Sequence, residues 1–133
     1  MSGLVLKLAP RERVLINGAV LENGDKRARI SIISPNANVL RLRDALHPDD
    51  ANTPVRRVCY ICQLLISGDA EEQQGRQQVL HGIEQLESVF LDTGSNDLLG
   101  RARSFVNDGN YYQATKQLRR LLLTEAYLLG VGR

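Results

Sequence analysis

The stretch that decides the fold runs from Arg13 to Ile33, RVLINGAVLENGDKRARISII. Two Asn-Gly pairs, Asn17-Gly18 and Asn23-Gly24, separate its short apolar runs. Asn-Gly is the strongest short-range signal for a β-hairpin, because both central residues of a type I′ turn need a positive φ. The stretch therefore predicts antiparallel strands joined by tight turns.

Similar runs continue on both sides of this stretch. The predicted strands lie within residues 4–8, 13–16, 19–22, 26–33 and 38–43. In the fourth run, apolar residues alternate with Arg27 and Arg29, which places both arginines on one face of a strand. We expect residues 1–46 to form an antiparallel β meander or a small barrel.

The fifth run carries a second pair of arginines, Arg41 and Arg43. Because side chains alternate along a strand, we expect Leu40 and Leu42 to face the core and both arginines to project outward together. Such a pair suits the phosphates of a nucleic-acid strand. The alternative is a surface salt bridge between one of them and Asp44, Glu22 or Asp25.

Charge is distributed unevenly along the chain. Residues 1–46 carry a net charge of +4, whereas the whole chain carries +2. The candidate polyanion-binding side chains are Lys7, Arg11, Arg13, Lys26, Arg27, Arg29, Arg41 and Arg43. No aromatic residue precedes Tyr60, which disfavours a base-stacking sheet of the RRM type, so contacts would rest on arginine, lysine and backbone groups. Charge alone is equally compatible with a solvated mixed surface.

Residues 47–53 form a polar linker, after which the apolar spacing becomes helical. Thr53 is a favoured N-cap and Pro54 suits the first helical position. The helical spacing of apolar residues predicts a four-helix part over residues 54–133. Its last helix runs from Tyr111 to about Leu129 and is followed by Gly130 and Gly132. The predicted fold class is therefore α+β, an N-terminal antiparallel β part followed by a helical bundle.

Cys59 and Cys62 form a C-x-x-C string inside the first predicted helix. A redox pair usually occupies a helix N-terminus, so we interpret both as small core residues and keep a thiol oxidoreductase as an alternative. A zinc site would need two more ligands, and we predict no metal or other cofactor. The chain carries no phosphate-binding glycine motif or catalytic triad, which favours a binding role over an enzyme.

The order of these features resembles one known family. Three blocks carry the resemblance: VLINGAVLENGD at 14–25, LRLRD at 40–44 and PVRRVCY at 54–60. They are similar to those of FlbT, a family of flagellum biosynthesis regulators, over nearly the whole chain. The resemblance implies a post-transcriptional repressor that associates with the 5′ untranslated region of flagellin mRNA and promotes its degradation by a cellular ribonuclease. It also implies action alongside FlaF, a second small flagellar regulator.

The composition adds expectations about location and partners. No apolar run approaches the roughly 20 residues of a membrane-spanning helix, and residues 1–13 do not resemble a secretory signal, so we expect a cytoplasmic protein without a membrane partner. The Leu-rich end, Leu121 to Val131, holds more apolar residues than one helix face buries. It supports the alternative of an adaptor or chaperone for flagellin or FlaF. The sequence also allows a homo-oligomer.

Overall fold

The computed structural model describes residues 4–35 and 37–130. Its strands are β1 Leu4–Leu8, β2 Arg13–Ile16, β3 Ala19–Glu22, β4 Ala28–Ile32 and β5 Val39–Arg41. Its helices are α1 Pro54–Ser67, α2 Glu72–Glu87, α3 Thr93–Asn107, α4 Tyr111–Arg119 and α5 Leu122–Leu128, with 3₁₀ turns at Leu42–Asp44 and Pro48–Asp50. The predicted α+β class is confirmed.

The first Asn-Gly pair forms the predicted hairpin. Asn17 and Gly18 both have positive φ, 49° and 88°, and β2 pairs with β3 in antiparallel register on either side of them. Asn17 also accepts a hydrogen bond through its side chain from the amide of Asn38. The turn therefore joins two strands and orients the chain entering β5.

The second Asn-Gly pair, Asn23-Gly24, does not form a hairpin between neighbouring strands. β3 and β4 do not pair; β4 instead crosses to pair with β1, while β2 lies between β3 and β5. The Asn23 side chain donates hydrogen bonds of 2.8 Å to the carbonyls of Ala9 and Lys26. The described strands thus form two small antiparallel sheets without closing a barrel, and their pairing does not follow chain order.

The fifth run departs from the prediction in length and in phase. β5 ends at Arg41, and residues 42–44 turn in a 3₁₀ helix, so Leu42 is exposed. Val39 is the residue buried in the core of the sheets, and Leu40 packs against the helices. The expectation that Leu40 and Leu42 share a core face was wrong because the alternation stops after three residues.

The helical part begins as predicted and ends differently. The Thr53 side chain accepts a hydrogen bond from the amide of Arg56, and Pro54 opens α1. The single helix expected from Tyr111 to Leu129 is broken into α4 and α5 at Arg120 and Leu121. The described part therefore holds five helices. The predicted stop at Gly132 lies outside the described residues.

One buried carboxylate ties the last helix to the first. Glu125 of α5 accepts hydrogen bonds from the Thr53 hydroxyl at 2.6 Å and from the Val55 amide at 2.7 Å. It is 5% exposed. A carboxylate at a helix N-terminus satisfies free N–H groups and complements the helix dipole, so α5 closes the end of α1.

The two parts of the chain pack against each other. The Gln63 side chain of α1 exchanges two hydrogen bonds with the backbone of Leu46, and Arg119 of α4 lies 3.3 Å from Asp44. Leu40 packs on the helical core and Tyr112 on the sheet core. These contacts fix the segment after β5, which carries Arg43, against the helices.

Candidate nucleic-acid interface

The pairing of β1 with β4 brings distant cations together. Lys7 lies directly opposite Arg29, and the apolar residues of both strands cover the sheet core on the other side. Residues opposite each other in an antiparallel pair have Cβ atoms about 4.5–5.5 Å apart, so two like charges stand side by side. Such a pair costs stability by itself, and an anion between the two charges would relieve this repulsion.

A shallow cleft lies beside the β1–β4 strand pair. Its volume is about 360 Å³, and its lining includes Lys7, Arg27, Arg29 and Arg43 together with Leu8, Ala9 and Ala28. No described acidic residue lines it. We call Lys7, Arg27, Arg29 and Arg43 the cationic face. Lys7 belongs to β1 and Arg29 to β4. Arg27 directly precedes β4, and Arg43 belongs to the 3₁₀ turn after β5.

The cations of this face are largely unneutralised. Among the described residues, no carboxylate lies within 4 Å of the side-chain nitrogens of Lys7, Arg27 or Arg29. Arg43 makes only long contacts, 3.8 Å to Glu12 and 3.9 Å to Asp44, and its side chain is 57% exposed. The face therefore offers positive charge to a ligand.

Arg41 does not belong to this face, which corrects the expected outward pair. Its side chain is 12% exposed and binds Glu12 through two nitrogens, at 2.7 and 2.8 Å. A third hydrogen bond, 2.6 Å long, runs from Nη2 to the carbonyl of Lys7. Because β5 ends at Arg41, Arg43 leaves in another direction. Arg41 links β1, the loop after it and β5.

The electrostatic consequence is clearest at Glu12. The hydrogen bonds from Arg41 outweigh the effect of burial and lower the pKa of Glu12 from 4.5 to about 2. The Glu12 carboxylate also accepts a hydrogen bond from the Ala9 amide. Nothing local in the sequence indicates this pair, because Arg41 lies 29 residues away from Glu12.

The remaining candidates lie elsewhere or are neutralised. Arg13 pairs with Glu22 across the hairpin at 2.8 Å, and Arg11 pairs with Asp25. The Arg13 guanidinium lowers the pKa of Glu22. Lys26 is exposed in the turn before Arg27 and does not line the cleft. Thus the structure groups Lys7, Arg27, Arg29 and Arg43 and separates Arg11, Arg13, Lys26 and Arg41 from them.

A second exposed surface is apolar and lies at the opposite end of the chain. Leu123, Tyr127, Leu128 and Leu129 are all more than half exposed, and Leu123 reaches 84%. The excess of apolar residues expected in the Leu-rich end is confirmed for its described part. Val131 lies outside the described residues.

The cysteines are buried in the helical core, as predicted. Cys59 is 3% exposed and Cys62 is fully buried. Burial raises the pKa of both thiols to about 12, so neither forms a thiolate near neutral pH. Within residues 4–35 and 37–130, no cluster of three or more histidine, cysteine or acidic side chains is arranged to hold a metal ion.

None of the described helices combines the length and apolar character needed to cross a bilayer.

Comparison with known proteins gives one consistent family. The family model described as flagellar protein FlbT matches residues 4–129. A probable flagellum biosynthesis repressor protein FlbT 1 of Bradyrhizobium diazoefficiens is 34% identical over 128 residues, covering 96% of this chain and 85% of that protein. Probable FlbT repressors of Brucella anthropi and a Chelativorans species are 28% and 27% identical, covering 95% and 96% of this chain and 82% and 87% of theirs. No solved structure matches significantly.

Proposed function

Because this chain belongs to the FlbT family of flagellar proteins, we propose that it is a post-transcriptional regulator of flagellum biosynthesis. In this proposal it associates in the cytoplasm with the 5′ untranslated region of flagellin mRNA and promotes degradation of that message. The word repressor in the names of its relatives agrees with the direction of this effect. The observation that carries RNA contact is the cationic face, whose cleft has no acidic residue among its described lining.

The chemistry of the face suits a single-stranded backbone. Arg29 lies in β4 and Arg27 lies two residues earlier, directly before the strand. In extended backbone this spacing separates their Cα atoms by about 6–7 Å, close to the separation of neighbouring phosphates. Guanidinium groups bind phosphate in a bidentate manner and also stack on unpaired bases. Lys7 adds a point charge opposite Arg29, and Arg43 also lines the cleft.

Arg41 has a supporting role in this proposal. Its hydrogen bond to the Lys7 carbonyl holds β1, and its ion pair with Glu12 holds the loop that leads to β2. The same residue immediately precedes the turn that carries Arg43. Arg41 therefore positions two cations of the face without contacting RNA.

RNA cleavage itself is assigned to a separate cellular ribonuclease. The side chains of the face are cations, and no described carboxylate or histidine lines the cleft to act as a general base. This chain would then determine which message is degraded, and the ribonuclease would supply the chemistry.

Binding of a labelled flagellin 5′ untranslated RNA to the full-length protein tests the proposal directly. We expect Arg27→Gln with Arg29→Gln to weaken binding about tenfold or more and to reduce the slope of log K against log salt by roughly 1.4, which is 0.7 per lost phosphate contact. The matched control is Arg57→Gln with Arg120→Gln, which removes two exposed charges from the helical part.

If both double variants lost RNA affinity equally, the effect would come from the total charge of the protein, and the cationic face would not be the binding site. If RNA affinity did not change with salt concentration, binding would not depend on ion pairs with phosphates, which would contradict the proposed interface. An RNA of equal length from an unrelated message should bind more weakly than the leader; equal affinity would contradict recognition of the leader by this chain.

The alternative is an adaptor or chaperone that binds flagellin or FlaF. The exposed side chains of Leu123 and Tyr127 on α5 favour it, because an apolar helix face is the usual complement of an amphipathic helix. Replacement of both by serine should abolish capture of purified flagellin or FlaF while leaving RNA affinity unchanged. If Arg27→Gln with Arg29→Gln abolished capture instead, this alternative would be wrong.

A further inference from the structure

A pocket between the sheet and helical parts is separate from both surfaces described above. Its volume is about 200 Å³. Segment 39–46 forms one wall, and α1, α4 and Leu122 form the other. The apolar lining includes Leu40, Leu46, Ile66, Tyr112 and Leu122, and the buried Cys59 lies among them. An apolar cavity of about 150 Å³ accommodates benzene, so this pocket has room for one ring or a short chain.

Cations dominate the polar lining of this pocket. Arg56, Lys116 and Arg119 all contribute, and among the described lining residues Asp44 is the sole acid. Asp44 already pairs with Arg119 at 3.3 Å. Arg56 and Lys116 make no ion pair with a described acidic residue, although the Lys116 ammonium lies 5.6 Å from the centre of the Tyr112 ring.

The other polar groups of the lining are already engaged. The amide of Gln63 is satisfied at both ends by Leu46, and the Thr115 hydroxyl donates to the carbonyl of Tyr111. Arg41 is bound to Glu12. The positive charge that the pocket leaves open is therefore that of Arg56 and Lys116.

We propose that this pocket binds a small carboxylic acid with a compact apolar body. The ring or chain would occupy the space beside Leu40, Ile66 and Tyr112, and the carboxylate would face Arg56 and Lys116. Charge complementarity selects an anion, because a carboxylate would neutralise two cations that no described acidic residue pairs, whereas a neutral ligand would partly desolvate the half-buried Arg56 without supplying an opposite charge. The apolar walls select against a bare inorganic anion.

The experiment uses the full-length protein and 3-phenylpropionate as the probe, with 3-phenylpropanamide as its neutral counterpart. Binding is followed by amide chemical shifts in ¹H–¹⁵N NMR spectra. We expect 3-phenylpropionate to shift the amides of Leu40, Cys59 and Tyr112, and the neutral amide to bind about tenfold more weakly, as expected for loss of one charged hydrogen bond.

Two variants sharpen the test. Arg56→Gln with Lys116→Gln should weaken 3-phenylpropionate binding about tenfold or more, whereas Arg57→Gln with Arg120→Gln, outside the pocket lining, should leave it unchanged. Absence of shifts at these amides in millimolar ligand, or equal affinity for the acid and the amide, would overturn the proposal. The comparison of the two ligands needs no variant, so misfolding of a variant cannot obscure the result.

Discussion

The sheet part and the helical part of this protein are stabilised in different ways. The helices enclose a large apolar core in which Val79, Ile83, Leu99 and Leu118 are fully buried. The sheet core is small, and all four residues of β3 are exposed. Polar links such as Arg41–Glu12 and the side chain of Asn23 hold the sheets together. The difference teaches that the part with little apolar core depends on polar links for its stability, while Lys7, Arg27 and Arg29 make no ion pair with a described acidic residue.

The largest loss of stability is expected from a substitution in the apolar core of the helices. Leu99→Ala should lower the free energy of unfolding by about 2–5 kcal/mol, because it deletes buried methyl groups and leaves a cavity at a site with no exposure. Urea denaturation measures this change. Leu123→Ala, at an 84% exposed position, should change it by less than about 0.5 kcal/mol. Similar losses in both variants would mean that the core is not where we place it.

The sheet part should depend instead on its polar link. Arg41→Ala leaves the nearly buried Glu12 carboxylate with only the Ala9 amide and the long contact to Arg43, and we expect a loss of about 3 kcal/mol in the free energy of unfolding. Arg11→Ala breaks only exposed contacts, with Asp25 and Glu22, and should cost less than about 1 kcal/mol. An Arg41→Ala protein as stable as the unmodified chain would contradict the structural role of this arginine.

The Arg41–Glu12 pair also predicts that the stability of the protein falls at acid pH. Since the pKa of Glu12 is about 2 in the folded protein and 4.5 is its ordinary value, the pair contributes stability above pH 4.5 and loses it as the pH falls toward 2. Between pH 7 and pH 3 this loss is about 2 kcal/mol, at 1.36 kcal/mol per pH unit below 4.5. Denaturation curves at both pH values measure it, and Glu12→Gln should remove this component of the pH dependence.

Two glycines of the helical part, Gly82 and Gly100, differ in the space available for a side chain. A Cβ at Gly82 of α2 would lie 2.6 Å from a methyl carbon of Val58, whereas one at Gly100 of α3 would meet nothing within 4 Å. We expect Gly82→Ala to lower the free energy of unfolding by about 1 kcal/mol and Gly100→Ala to raise it by up to about 1 kcal/mol. Thermal denaturation should show melting temperatures that move in opposite directions. Stabilisation by both substitutions would mean that α1 and α2 pack less closely.

The smallest effect on stability is expected at the cationic face. Arg29→Gln removes the repulsion opposite Lys7, so the free energy of unfolding should rise by a few tenths of a kcal/mol or stay constant. Chemical denaturation at low salt is the sensitive measurement. A clear loss of stability would indicate that Arg29 holds the sheet together, and it would weaken the case for a binding surface there.

Much of the fold follows from local patterns. The Asn17-Gly18 hairpin, the Thr53 cap, the helical stripe around the two buried cysteines and the start of α4 at Tyr111 were all predictable. Each depends on turn conformation, capping or periodicity within a few residues. The role of Gly82 was not predictable, because the close approach of Val58 joins residues of two helices and leaves no local pattern.

The candidate site was predicted in part. Alternation correctly placed Arg29 opposite Lys7 on the face of β4 that points away from the sheet core, whereas Arg27 lies just before the strand. It failed for Arg41, since the strand ended two residues earlier than its pattern indicated and a carboxylate lay within reach. The long ion pair of Arg43 with Glu12 arises from the same approach of the loop to β5.

By itself, then, the sequence determined where most strands and helices lie, which faces are apolar and how strongly the first part is charged; the end of β5 and the break between α4 and α5 were not among its predictions. These properties depend on neighbours within one turn or two residues of a strand. Only the tertiary structure decided that β4 pairs with β1, that Arg41 is buried against Glu12 and that Glu125 closes α1. Such contacts join residues far apart in the chain, where packing of the cores and the need to satisfy buried polar groups select among many pairings.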